Sequence, residues 1–134
     1  MTRPSWIPEL GDYIDTASVV LGVSGEAISR LPNLRLADSA INAPFAEFGG
    51  VQAHEGIINQ AAVLIARLAQ NHPLPDGNKR AAFQFTARFL DANGLVWGEP
   101  DVETDAGMVE RIAASSASHE EIVAWIELRT TESN

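Results

Sequence analysis

The chain has 134 residues, 46% apolar and 20% charged, enough for one domain built on a single core. It contains no cysteine, which excludes a disulfide framework, a thiolate zinc site and a cysteine nucleophile. Acids outnumber bases 18 to 9, and the formal charge of −9 argues against direct binding of nucleic acid. The longest uncharged apolar stretch, Gly56 to Ala66, is too short to cross a bilayer, so no membrane association is expected. The first ten residues carry no apolar signal core, and the expectation is a cytoplasmic protein with one domain over 1–134.

Helical periodicity runs through nearly the whole chain. Asp12–Leu21 and Ser24–Leu31 are predicted as two short helices, the second opened by Ser24 as N-cap, before Leu31-Pro32-Asn33 breaks the pattern. Leu34–Ala53 is the least regular part. Its segment Ile41 to Gly50 mixes turn residues with Phe45 and Phe48 and is predicted as a loop or small hairpin, either a packed connection or a mobile flap. His54–Asn71 follows as a long helix with Ile57, Ala61, Leu64 and Leu68 on one face.

A loop over 72–77 leads to a second long helix, about Asn78 to Ala92, apolar nearly all round. Only the line Arg80, Gln84, Arg88, Asp91 stays polar at helical spacing, so this helix is predicted to lie at the centre of the core. Asn93-Gly94 stops it. Leu95-Val96-Trp97 is a short extended piece, and Glu103–Ala114 and Ser118–Arg129 are two amphipathic helices, the latter with a Ser118–Glu121 capping box. The fold predicted is all-α, a compact bundle of about six helices with a short flap.

The chemistry concentrates in His72-Pro73-Leu74-Pro75-Asp76-Gly77-Asn78-Lys79-Arg80. The first N–H groups of a helix lack internal partners and carry partial positive charge. Gly77 allows close backbone approach there, and Asn78, Lys79 and Arg80 add donors or charge, so this helix start suits an anion such as phosphate. Asp76, at the edge of that position, is a candidate Mg²⁺ ligand, because a carboxylate facing phosphates needs a bridging cation. His72 precedes it by four residues and is a candidate base toward a hydroxyl attacking the bound phosphate.

Ordinary turn chemistry also accounts for parts of this string, with Asp76 as N-cap and His72 as C-cap. Lys-Arg in a first helical turn is different, because it opposes the helix dipole. Lys79 is the only lysine of the chain, and its placement beside Arg80 favours an anion ligand.

The string HPLPDGNKR resembles the signature of the Fic/Doc superfamily, H-x-F-x-[D/E]-[G/A]-N-[G/K]-R. The lysine form and the preceding Ala69-Gln70-Asn71 are most similar to the Doc (death-on-curing) toxins of Phd–Doc type II toxin–antitoxin modules. Ala53 to Val96 follows the family's helix–loop–helix layout. The resemblance implies His72 as general base, Asp76 as Mg²⁺ ligand, and Gly77, Asn78 and Arg80 as phosphate-holding positions, with Lys79 beside them. It places the family's substrate-aligning flap at about Asn42–Val51. It further implies an ATP-dependent kinase of an elongation factor Tu threonine that stops translation, with a Phd-like antitoxin as partner.

Three departures from the commoner Fic pattern bear on the reaction. Leu74 stands where the family has phenylalanine. Fic enzymes have glycine at the position of Lys79 and a second arginine at that of Phe83; Doc proteins share both changes. These differences favour phosphoryl transfer over the AMP transfer of most Fic relatives, which remains the alternative, beside a degenerate module that only binds its antitoxin. An internal inhibitory helix of the form [S/T]-x-x-x-E-[G/N] is not matched by Ser5–Leu10, which lacks the final residue and contains Pro8. Inhibition is therefore expected from a separate partner.

Overall fold

The computed structural model describes residues 3–133. Helix α1 (Leu10–Leu21) opens where the Asp12 carboxylate accepts from the Glu9 N–H at 2.8 Å, and closes on Gly22 in the left-handed conformation. Ser24 caps α2 (Gly25–Ser29), as predicted, accepting from the Ala27 N–H at 3.1 Å. The next segment departs from the sequence reading. Within the stretch taken as irregular lies helix α3 (Arg35–Asn42), which buries Ala37, Ala40 and Ile41. Those three residues are an apolar stripe at helical spacing, obscured in the sequence by Pro32 before it and Pro44 after it. A 3₁₀ turn over Ala43–Phe45 follows.

The predicted hairpin is present. Strands β1 (Glu47–Phe48) and β2 (Val51–Gln52) pair antiparallel, with Glu47 opposite Gln52 and Phe48 opposite Val51. Gly49 and Gly50 make the two-residue turn with φ of 60° and 81°, backbone that glycine adopts without strain. Helix α4 (Ile57–Asn71) begins three residues later than expected, because Gly56 has φ 89° and cannot continue a helix backward to His54. The buried Gln60 amide fixes that junction, donating to the His54 carbonyl at 3.1 Å and to Gln52 Oε1 at 3.3 Å.

Helix α5 (Asn78–Ala92) has the predicted bounds, and Arg80, Gln84, Arg88 and Asp91 are its exposed line. After it, β3 (Leu95–Trp97) is paired antiparallel with β4 (Thr130–Glu132), a partner not anticipated from the sequence. Between them, Asp101 caps α6 (Val102–Ala113), and the predicted Ser118–Glu121 capping box opens α7 (His119–Arg129).

Among the described residues the fold is thus seven α-helices with two small strand pairs, one helix more than predicted. Its centre is α4, which packs against α3, α5, α6 and α7, rather than α5 as expected. Ala61, Ala62 and Ala69 are fully buried in α4, small side chains that let its neighbours approach closely. The larger Phe85 and Phe89 of α5 are also buried, while one edge of α5 faces solvent.

Helices α4 and α5 form an antiparallel pair, joined by loop 72–77 at one end. The hairpin stands at the other end, where the ring of Phe45 packs on Phe89 at 5.6 Å. A helix of this length spans about 22 Å, so the expected flap is distant from the loop that carries the motif.

Candidate functional site

Loop 72–77 is pinned before any ligand is considered. Leu74, at the position of the motif phenylalanine, is 4% exposed and anchors the loop in the core. The Asn78 side chain reaches back over it: Oδ1 accepts from the Leu74 N–H at 3.0 Å, and Nδ2 donates to the Leu74 carbonyl at 2.9 Å. Asn78 therefore shapes the loop with its side chain and leaves only its backbone N–H to the helix start.

The N-cap of α5 is Gly77, with φ 76° and ψ 13°, and not Asp76 as the turn reading had it. No side chain caps this helix and no acid stands in its first turn. Its leading N–H groups are thus open to a ligand. A Cβ at Gly77 would lie 3.1 Å from Leu21 Cδ2 and 3.3 Å from Val20 Cγ1, on a backbone that side chains rarely adopt. Gly77→Ala is therefore expected to lower stability by about 1–2 kcal/mol. Its melting curve and its affinity for phosphate should both fall, because the strain sits at the helix start itself.

His72 ends α4 as the predicted C-cap, with the left-handed φ of 51°. For a non-glycine residue that conformation is uncommon, and it turns the chain sharply from α4 into the loop. The imidazole is exposed and, among the described residues, makes no hydrogen bond. Asp76 is likewise exposed and unpaired there. Arg80 forms no ion pair among the described residues, and its guanidinium lies beside Gly77.

Lys79 is engaged elsewhere. Its ammonium is 2.8 Å from Glu110 Oε1 of α6, and both side chains are about half or more exposed. An ion pair so exposed holds well under about 1 kcal/mol, so an arriving phosphate can draw Lys79 away from Glu110.

All six predicted residues, His72, Asp76, Gly77, Asn78, Lys79 and Arg80, line one cleft of about 440 Å³, together with Pro75 and Ala113. Ala113 and Glu110 were not predicted; they come from α6, and nothing local in the sequence marks them. No hairpin residue lines this cleft. Chemically, it offers an uncapped helix start and two cations for an anion, with a carboxylate at the rim and an imidazole that have no partner among the described residues.

A Mg²⁺ ion fits this donor set. Mg²⁺ commonly takes one or two carboxylates and completes its shell with water and substrate phosphates. Asp76 is a single carboxylate without a competing partner among the described residues. Among the described residues no group of three or more acidic or histidine side chains makes a closed metal cage.

The sequence matches the model described as the Fic/DOC family over residues 7–90, a span that contains the whole motif. The chain is also similar to a protein named Toxin Doc from Mycolicibacterium smegmatis. The two are 32% identical over 114 residues, which cover 84% of this chain and 85% of that relative. No solved structure matches.

Proposed function

Since the chain belongs to the Fic/DOC family, we propose that it is the toxin of a toxin–antitoxin module and an ATP- and Mg²⁺-dependent kinase, phosphorylating a threonine of elongation factor Tu. The observation that carries this reading is the convergence of His72, Asp76, Lys79 and Arg80 on the uncapped start of α5. The name of the similar relative, Toxin Doc, supports the toxin role and with it a Phd-like antitoxin as partner.

In this reading the N–H groups from Asn78 onward and the Arg80 guanidinium hold the phosphates. Lys79, released from Glu110, neutralises charge on the transferring group. Asp76 would hold Mg²⁺, which supplies charge neutralisation between nucleotide phosphates. His72 accepts the threonine proton as the hydroxyl oxygen attacks the γ-phosphorus in line with the departing ADP oxygen.

Phe83 favours the kinase over AMP transfer. At the position where Fic enzymes place a second phosphate-binding arginine, its ring packs edge-on against Trp97 at 5.1 Å and beside Trp125 at 6.3 Å. It offers no donor to a deeply seated β,γ-diphosphate. Purified protein given elongation factor Tu is expected to transfer label from γ-labelled ATP and none from α-labelled ATP. Label arriving only from the α-position would overturn the kinase reading in favour of AMP transfer. Transfer from neither would leave a binding module.

A further inference from the structure

At the end of α4 opposite to the motif loop, two imidazoles meet. His54 lies between β2 and α4, and its ring centroid is 6.5 Å from that of His119, the first residue of α7. The orientation of His119 is fixed. Asn59 Nδ2 donates to the Glu55 carbonyl at 2.7 Å, which turns Asn59 Oδ1 toward His119, and the His119 Nε2–H donates to it at 3.0 Å. The His54 ring is half-buried and has no hydrogen-bond partner among the described residues. We propose that this pair is an acid-sensitive latch, which keeps the base of the hairpin seated on the first turn of α4 while His54 is neutral and releases it when His54 is charged. The inference stands apart from the phosphate-transfer reading above, since neither histidine lines the motif cleft.

The surroundings of His54 oppose a positive charge. Burial comes first, then the charges of His119 on α7 and Arg67 on α4; all three disfavour the imidazolium and hold the His54 pKa below the ordinary histidine value. Arg67 is exposed and forms no ion pair among the described residues, so no carboxylate there cancels its charge. Glu55, next to His54 in the chain, is also exposed to solvent.

The joint that a charged His54 would strain is incompletely bonded. Gln60 Nε2 of α4 donates to the His54 carbonyl at 3.1 Å and to Gln52 Oε1 of β2 at 3.3 Å, tying loop and hairpin to the helix. Gln52 Nε2 and Gln60 Oε1 are buried beside these bonds without a partner among the described residues. A buried donor and acceptor left unsatisfied weaken the closed form, and both gain hydrogen bonds when water enters. Gly56, with φ 89°, supplies a pivot between loop and helix. Repulsion on His54 thus acts on a joint that opens locally without unfolding the core.

The direction of the pH effect follows from the two forms. In the open form His54 is solvated and titrates near the ordinary value of about 6.5. Its pKa in the closed form is lower. The latch is therefore fully favoured above about pH 6.5 and weakens as pH falls through the lower, closed-form value.

Hydrogen exchange on the full chain at pH 7.5 and 5.5, corrected for the intrinsic pH dependence of exchange, tests the latch. Protection over residues 46–56 should fall about threefold or more at pH 5.5, relative to protection of α4 and α5. His54→Gln should abolish that difference. His119→Gln keeps a donor for Asn59 but removes the facing charge. It should shrink the difference and raise the midpoint of the His54 titration followed by proton NMR. Equal relative protection at the two pH values, a segment-specific loss that persists in His54→Gln, or an unmoved His54 midpoint in His119→Gln would overturn the inference. A loss shared evenly by the hairpin, α4 and α5 would overturn it too, by assigning the acid lability to the whole fold. Protection of α4 and α5 at pH 7.5 verifies that each variant is folded. Should His54→Gln fail to fold, His119→Gln, at an exposed position, carries the test by itself.

Discussion

His72→Ala is expected to lower phosphate transfer by about a hundred- to ten-thousand-fold, the range for loss of a general base. Growth arrest on expression should disappear with it. The imidazole is exposed and makes no hydrogen bond among the described residues, so nothing structural depends on it. Alanine keeps a non-glycine residue at the same left-handed position, φ 51°, and the backbone cost is shared by both proteins. Thermal unfolding should therefore differ by only about 0.5 kcal/mol or less, the usual range for surface substitutions. In the proposed reaction the phosphates are held by α5, so calorimetric ATP affinity should also change little. Full growth arrest by a folded His72→Ala protein would remove His72 from the reaction.

The largest effect on stability is expected at Asp105, which does not line the motif cleft. Its carboxylate is 7% exposed and ties three elements together. Oδ1 accepts from Trp125 Nε1 and Arg129 Nε, each at 3.0 Å, while Oδ2 accepts from Trp97 Nε1 and Arg129 Nη2, each at 3.1 Å. Burial by itself opposes the charged form, but the hydrogen bonds from Arg129, Trp97 and Trp125, with the charge of Arg129, outweigh it and hold the pKa below the usual aspartate value.

Removing the carboxylate strands these donors in a partly buried site. Asp105→Ala should cost about 3 kcal/mol, the low end for breaking a buried ion pair. For a chain of this size that is a fall in Tm on the order of 10 °C. The sign of the pH dependence follows from the lowered pKa. The contribution is fully present above the unfolded-state aspartate value of about 3.9 and is lost as pH falls through the lower folded value. In Asp105→Ala this component of acid lability should vanish. A difference in Tm between the two proteins that persists undiminished to the lowest pH would show that the carboxylate charge is not what stabilises this junction.

The sequence by itself determined the parts of this protein that are local in the chain. The bounds of α5, the caps at Ser24 and Ser118, the Gly49-Gly50 turn and the string from His72 to Arg80 depend on residues within about one helical turn of each other. Caps, turns and periodicity act over that range, so they are legible from residue order. The six predicted site residues belong to this class, since one loop and one helix start bring them to a single cleft. What only the tertiary structure decided involves residues far apart. Glu110 meets Lys79 across 31 positions, and Asp105 meets Arg129 across 24. Strand β4 exists because β3 offers it an edge, and α3 is held by burial against α4 despite its flanking prolines. The distance of the hairpin from the motif follows from the length of α4, with the hairpin bonded to its first turn through Gln52 and Gln60 and the motif loop at its end. No local pattern encodes these contacts, because each is selected by the packing of the whole core, where tertiary burial outweighs local propensity.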